Sequence, residues 1–249
     1  MKQISTGIQG LDELLGGGLP KGKCILVVGS PGSGKTTLLM QFLHKGALSG
    51  ERGLYITMDE KPEQIKENFL SFGWKLDKLE KDGKIVFLDA TPIRVAKSVY
   101  RTEDKVLIST DYLRFPELTL EGLIRTIRKI IDEENIQRIA IDPITTLVLR
   151  YSQISKRRKA LLYFFDSLIE SGCTSLITTE MRTGELERSF QIEEFLSQGV
   201  ILLHTIIHSG NVIRAIQIEK MRGIQHDTQL RPYQITNKGI EVYPKDKVF

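Results

Sequence analysis

The chain has 249 residues, 41% hydrophobic and 27% charged, with a formal net charge of +4. This is enough for a sizeable core and excludes the disordered and collagenous classes. No apolar run is long enough to span a membrane and the N-terminus lacks a basic-then-apolar signal, so a cytoplasmic protein with no membrane partner is expected.

The mild positive charge permits an anionic partner without requiring one. Cys24 and Cys173 each stand at the start of an apolar run and read as small buried hydrophobes, not as a disulfide or metal pair. In chain order, residues 1–23 form a lead-in: Thr6-Gly7, a short helix over Gly10-Leu11-Asp12-Glu13-Leu14-Leu15, and a turn at Gly16-Gly17-Gly18-Leu19-Pro20.

The apolar strand Cys24 to Val28 then meets Gly29-Ser30-Pro31-Gly32-Ser33-Gly34-Lys35-Thr36, followed by the helical stretch Leu38 to Leu43. This is G-x-x-x-x-G-K-T in the order strand, glycine-rich turn, helix. Glycines let the backbone curl with its N–H groups inward around a phosphate, and the helix N-terminus adds positive potential. Lys35 supplies charge for the β- and γ-phosphates, and the Thr36 hydroxyl is placed to ligate Mg²⁺. The alternative, a turn that binds nothing, does not account for the context. ATP and Mg²⁺ are the cofactors expected.

Gly53 to Met58 reads as a buried strand ending in Asp59-Glu60, with a helix opening at Pro62 and carrying Ile65, Phe69, Leu70 and Phe72. Ile85 to Leu88 is another strand. Residues 91–118 have no clear period and read as an irregular excursion. From Thr119, Leu120, Leu123, Ile124, Ile127, Ile130 and Ile131 line one face of a helix, which leads into the strand Arg138 to Asp142. A helix over Ser155 to Ser171 precedes the strand Cys173 to Thr179, which ends at Glu180. The end of the chain changes character: Val200 to His204 and Val212 to Ile218 flank the turn Ser209-Gly210-Asn211, and Tyr233 to Thr236 and Ile240 to Tyr243 bracket Asn237-Lys238-Gly239.

The expected fold is α/β: a doubly wound, mostly parallel sheet with C-terminal antiparallel strands. One domain is expected over 1–249, with a lead-in at 1–23, a nucleotide-binding core at 24–180 and antiparallel strands at 199–249. Ligands of such sheets collect at the carboxyl ends of the strands, where Asp59-Glu60, Asp142 and Glu180 fall. Asp142 is placed to orient Mg²⁺ through its water shell, the alternative being a turn or capping acid. Asp59 and Glu60 are candidates for the water-activating base; both would also favour the N-terminus of the following helix.

Taken in order, the lead-in, the P-loop, the acids at 59–60, Asp142, Lys220-Met221-Arg222-Gly223 and His226-Asp227 resemble the KaiC branch of the RecA-type ATPases over nearly the whole chain. The resemblance is to one ATPase domain, whereas the cyanobacterial clock protein has two in tandem; the single-domain form looks like the KaiC-like ATPases of archaea. It implies a homo-oligomeric ring, usually of six subunits, with ATP at each subunit interface. Lys220 and Arg222 then reach the neighbour's nucleotide, and Thr37 and His226 join the nucleotide-binding residues. Two residues apart on a strand point the same way, so both cations can face one target; the alternative is an exposed basic strand end.

Two departures matter. Asp59 stands where the family usually has glutamate, so either Glu60 is the base or hydrolysis is slow. Glu194 and Phe195 occupy the positions of the clock protein's phosphorylated Ser and Thr, so autokinase activity is not expected. Lys156-Arg157-Arg158-Lys159 and Arg182 to Arg188 could contact single-stranded DNA, or be a solvated helix start and a polar loop. They lack aromatic residues that would stack bases, and no extra N-terminal DNA-binding segment like that of archaeal recombinases is expected before the ATPase core. Two functions follow: a ring ATPase coupled to an unidentified protein partner, or a recombinase-like accessory that binds single-stranded DNA and hydrolyses ATP weakly.

Overall fold

The computed structural model describes residues 2–91, 119–181, 191–208 and 210–248. Residues 92–118 of the excursion, the basic stretch Arg182 to Arg188 and Ser209 of the hairpin turn lie outside the described residues.

The lead-in holds β1 (Gln3–Ile4), α1 (Gln9–Leu14) and β2 (Leu19–Pro20), with β1 and β2 paired as a small antiparallel ribbon. Asp12 shapes it: its carboxylate accepts hydrogen bonds from Ser5 Oγ (2.6 Å), Thr6 N (2.8 Å) and Thr6 Oγ1 (2.6 Å). Gly10 presses on the end of the chain, where an added Cβ would lie 2.0 Å from the Val242 carbonyl oxygen. The Thr6-Gly7…Gly10-Leu11-Asp12 pattern is therefore a packing device.

Next come β3 (Cys24–Gly29), α2 (Lys35–Leu48), β4 (Arg52–Thr57), α3 (Pro62–Asn68), a 3₁₀ turn at Leu70–Phe72, α4 (Leu76–Lys81) and β5 (Ile85–Asp89). They are followed by α5 (Leu120–Glu134), β6 (Ile136–Asp142), α6 (Thr145–Val148), α7 (Ile154–Glu170), β7 (Thr174–Glu180) and α8 (Ile192–Leu196). The chain closes with β8 (Gly199–His208), β9 (Asn211–Met221), β10 (Arg231–Thr236) and β11 (Gly239–Val242). The short helices α4, α6 and α8 and the β1–β2 ribbon are additions to the sequence-based expectation, since none is long enough to show a period.

One nine-stranded sheet runs β11-β10-β9-β8-β3-β7-β6-β4-β5. Strands β8, β3, β7, β6, β4 and β5 are parallel, and β9, β10 and β11 extend the sheet antiparallel. The expected α/β class, parallel core and antiparallel end are thus observed.

Alternation along β3 explains the layers. Ile25 and Val27 join a core with Leu38, Leu39 and Phe42 of α2, Ile65 of α3, and Tyr233 and Ile240 from the chain's end. Cys24, Leu26 and Val28 point to the other face and pack with Leu123, Ile124 and Ile127 of α5 and Leu161, Phe165 and Leu168 of α7. Thr119 caps α5, its hydroxyl accepting the Gly122 N–H at 3.0 Å, and each buried apolar side chain of that helix contributes about 1.5–3 kcal/mol. Both cysteines are buried and unbridged, and burial raises both thiol pKa values, that of Cys24 the more. Among the described residues no helix is long and apolar enough to cross a membrane.

Candidate active site

At the carboxyl end of β3 the chain leaves the sheet through Gly29 and re-enters helix at Lys35. Gly32 (φ +76°) and Gly34 (φ +89°) adopt the left-handed region that side chains disfavour. A Cβ at Gly34 would also come within 2.8 Å of Ile235 Cδ1, so that side chain would have to shift. Pro31 and Gly32 form the exposed crest, and Thr36 and Thr37 are half-buried on the first turn of α2. The Lys35 ammonium folds back over the loop and donates to Gly29 O (2.9 Å) and Ser30 O (3.1 Å). Burial lowers its pKa, while the negative charges of Asp142 and Glu180 oppose that fall.

Thr36 Oγ1 donates to Asp142 Oδ2 at 2.7 Å, joining residues 106 positions apart. Tyr55 OH donates to the same oxygen at 2.8 Å, and Thr178 Oγ1 donates to Oδ1 at 2.5 Å. Parallel pairing explains this: β6 lies between β4 and β7, so Tyr55 and Thr178 flank the acid at its end. Burial, reinforced by the adjacent carboxylate, raises the Tyr55 phenol, which remains a donor. Tyr55 and Thr178 were not singled out in the sequence. A polar side chain near the end of each neighbouring strand was the only available signal.

The donor set suits Mg²⁺. That ion takes hard oxygen ligands, keeps several waters and is held by one or two protein groups plus phosphates. A hydroxyl and a carboxylate already in contact beside the P-loop meet this requirement, and a cluster of three acids, absent among the described residues, is not needed.

Asp59 and Glu60 lie exposed just past β4. Thr146 of α6 donates to Asp59 Oδ1 at 2.6 Å, fixing that carboxylate against the segment that follows Asp142. Glu60 contributes its backbone oxygen to Thr57 Oγ1 (2.5 Å). Glu180 sits in register beside Gly29, and its carbonyl accepts from Gln191 Nε2 at 2.6 Å.

The antiparallel strands brace the loop from below. Tyr233 OH donates to Ser33 O at 2.6 Å, and Gln41 of α2 bonds Ile240 N (2.7 Å) and Gly7 O (3.1 Å). Beyond Pro232, β10 parts from β9 and opens a cleft of about 600 Å³ lined in part by Arg214, Tyr233 and Ile235. The Arg214 Nε is buried there with no hydrogen-bond partner among the described residues. Nothing in the local sequence pointed to this cleft.

Lys220, Arg222 and His226 are elsewhere. Lys220 pairs with Val200, whereas the P-loop begins where Gly29 meets Leu203. The offset along the sheet is roughly 10 Å, toward the amino ends of the parallel strands. Strand β9 ends at Met221, so Arg222 is in the following turn, its side chain exposed. Lys220 Nζ donates to Glu194 O (2.6 Å) and Ser197 O (2.8 Å), and Arg222 N donates to Gln198 O (2.9 Å). His226 is half-buried next to Asp227, whose carboxylate holds Arg231 at 2.6 and 2.9 Å. Of the basic run 156–159, Arg157 caps its own loop by donating to Tyr151 O at 3.2 and 3.0 Å; Lys156, Arg158 and Lys159 are exposed.

Comparison with known proteins agrees with this fold. The family model of the KaiC ATPase matches residues 4–247. A UPF0273 protein of Methanocaldococcus jannaschii is 34% identical over 249 residues, covering 100% of this chain and 98% of that protein. The circadian clock oscillator protein KaiC 1 of Synechocystis is 34% identical over 247 residues, 98% of this chain but 44% of that longer protein. The crystal structure of a KaiC-like protein from the archaeon Pyrococcus horikoshii superposes with a TM-score of 0.80 at 33% identity, covering 98% of this chain and 99% of that one. The chain belongs to the KaiC ATPase family.

Proposed function

We propose that the chain, working as one domain over 1–249, is a Mg²⁺-dependent ATPase whose sites are completed at the interfaces of a ring, with a regulatory or coupling role toward a protein partner. The observation that carries this reading is the Thr36–Asp142 contact beside the lysine-crowned loop. Backbone N–H groups of the loop from Gly32 to Thr36 and the Lys35 ammonium would bind the β- and γ-phosphates, and Thr36 and Asp142 would hold the metal. Bound Mg²⁺ would neutralise charge developing on the phosphates. The nucleoside end lies in the cleft between β9 and β10, where the buried Arg214 Nε awaits an acceptor.

Asp59, held by Thr146, accepts the proton of the attacking water, with Glu60 beside it. Arg222 is exposed and displaced from its own P-loop, a placement suited to a neighbouring subunit's nucleotide. A cation given in trans speeds hydrolysis by roughly 10³–10⁵-fold. His226, four residues further on, would join that contact.

The test is steady-state ATP turnover with and without Mg²⁺, alongside molecular mass in solution. Turnover that needs Mg²⁺ and rises with assembly is expected. Brisk turnover by a monomer, or no ATP binding, would overturn the reading. Turnover stimulated by single-stranded DNA in a salt-sensitive way would replace it with the DNA-accessory function.

A further inference from the structure

The segment 142–146 leaves β6 and ties the ends of both neighbouring strands to it. Toward β4, Asp142 O accepts the N–H of Met58 at 2.8 Å, and Thr146 Oγ1 donates to Asp59 Oδ1 at 2.6 Å. Toward β7, the Ile144 N–H donates to Thr178 O at 2.9 Å. Thr145 Oγ1 lies 3.3 Å from Thr179 Oγ1 and accepts the N–H of Glu180 at 3.4 Å. The first residue of the segment also meets Thr36 of the P-loop helix, at 2.7 Å. One bridge, made wholly within one chain, therefore carries the acid assigned to the metal at one end and the support of Asp59 at the other.

Thr146 is buried, whereas Asp59 is exposed. Burial thus does little to fix the torsions of that carboxylate, and a hydroxyl on a braced segment gives it a fixed point. A hydrogen bond to an ionised acceptor is roughly twice as strong as one between neutral groups. Placement matters because a general base must lie within hydrogen-bond reach of the water it activates. That water must in turn stand about 3–3.5 Å from the phosphorus, and a misplacement of about 1 Å can cost roughly 10²-fold in rate.

We propose that Thr146 is a positioning residue: its hydroxyl registers the Asp59 carboxylate against Asp142, and so sets where the attacking water stands relative to the γ-phosphate. The inference rests on the reading of Asp59 as the base. It deepens that reading by naming the group that aims the base and by mounting base and metal acid on one segment.

Kinetics of the assembled protein with Mg²⁺ test it, with kcat and KM for ATP read separately. Thr146→Val keeps the branched shape and removes the donor. It should lower kcat roughly 10–30-fold, less than Asp59→Asn does, and leave KM within about twofold. Thr146→Ser keeps the donor and should stay within about threefold of wild type. In an Asp59→Asn background, Thr146→Val should lower kcat by no more than about twofold, because no base is left to aim.

Full turnover in Thr146→Val, a raised KM, a Thr146→Ser variant as slow as Thr146→Val, or losses that multiply in the double variant would each overturn the proposal. Should Thr146→Val fail to fold, Thr146→Ser and Thr146→Cys are compared instead. Both lose the γ-methyl group, and they differ in the donor, the thiol being the weaker. The Cys variant should be slower by on the order of tenfold; equal rates would overturn the proposal. Turnover near wild type in Asp59→Asn alone identifies the other failure, that of the reading of Asp59 as the base.

Discussion

Strand β6 carries a charge toward each end, and the two are completed in different ways. Near the amino end, Arg138 is buried and fully engaged by its own protein. Its guanidinium meets Glu51 at 2.5 and 2.6 Å, donates to Ser5 O (2.9 Å) and Phe42 O (2.8 Å), and lies 4.6 Å from the centre of the Phe42 ring. At the carboxyl end, Asp142 is half-buried, and three hydroxyls donate to its carboxylate, from Thr36, Tyr55 and Thr178. A carboxylate and two carbonyls can only accept, so around Arg138 they form a permanent arrangement. A hydroxyl can rotate and accept instead. The cage around Asp142 can therefore admit a cation with Thr36 turning from donor to ligand. One end of the strand locks the lead-in, α2 and β6 together; the other remains ready for a ligand.

The largest effect should come from breaking the ligand-ready end. Asp142→Asn is expected to lower ATP turnover roughly 10³-fold, about 4 kcal/mol of barrier, with a far smaller change in unfolding midpoint. Turnover within tenfold of wild type would show that the acid has the structural character assigned to Arg138. Arg138→Ala is the converse. Leaving a buried partner uncompensated costs about 3–5 kcal/mol, and the lower end applies because the Glu51 side chain is still 28% exposed. Denaturant unfolding should show that loss, while turnover per folded molecule stays near wild type.

A third pair of variants resolves the neighbouring acids. Asp59→Asn should lower turnover about 100-fold, at the low end for a general base, and Glu60→Gln by less than tenfold. The reverse order would assign the base to Glu60 and leave the Asp59–Thr146 contact a purely structural one. The smallest effect should be that of Tyr55→Phe. Removing one of three hydroxyls from Asp142 should cost about 1 kcal/mol in stability and leave Mg²⁺-dependent turnover within about fivefold. A larger loss of turnover than of stability would place Tyr55 in the chemistry itself.

Much of this was legible from local pattern. A phosphate loop is a contiguous motif, and a strand ending in an acid is visible wherever an apolar run stops, as at Asp142. Alternation of βα units specified the parallel core, because right-handed crossovers leave few other arrangements. The Arg138 site was not legible: on paper that residue is one polar position in a strand, and its partners at 5, 42 and 51 are brought to it only by folding. Lys220 and Arg222 read as a pair from their spacing, whereas the Glu194 and Ser197 carbonyls that hold Lys220 are brought to it only by folding. The strand ends at Met221, and the register shift between Val200 and Ile201 alters the pairing just before it.

The sequence by itself determined the phosphate-binding loop, the two faces of the sheet and the set of acids at its carboxyl edge, since each is encoded by neighbours or by a short period. Only the tertiary structure decided which acid is caged by hydroxyls, that the final strands underpin Ser33 and Gly34, and that Lys220 grips α8. Those outcomes depend on hydrogen bonds and contacts between segments from tens to some two hundred residues apart, as in Tyr233 with Ser33 and Thr36 with Asp142. Such contacts arise from the order and register in which strands pair, and no local spacing records that order.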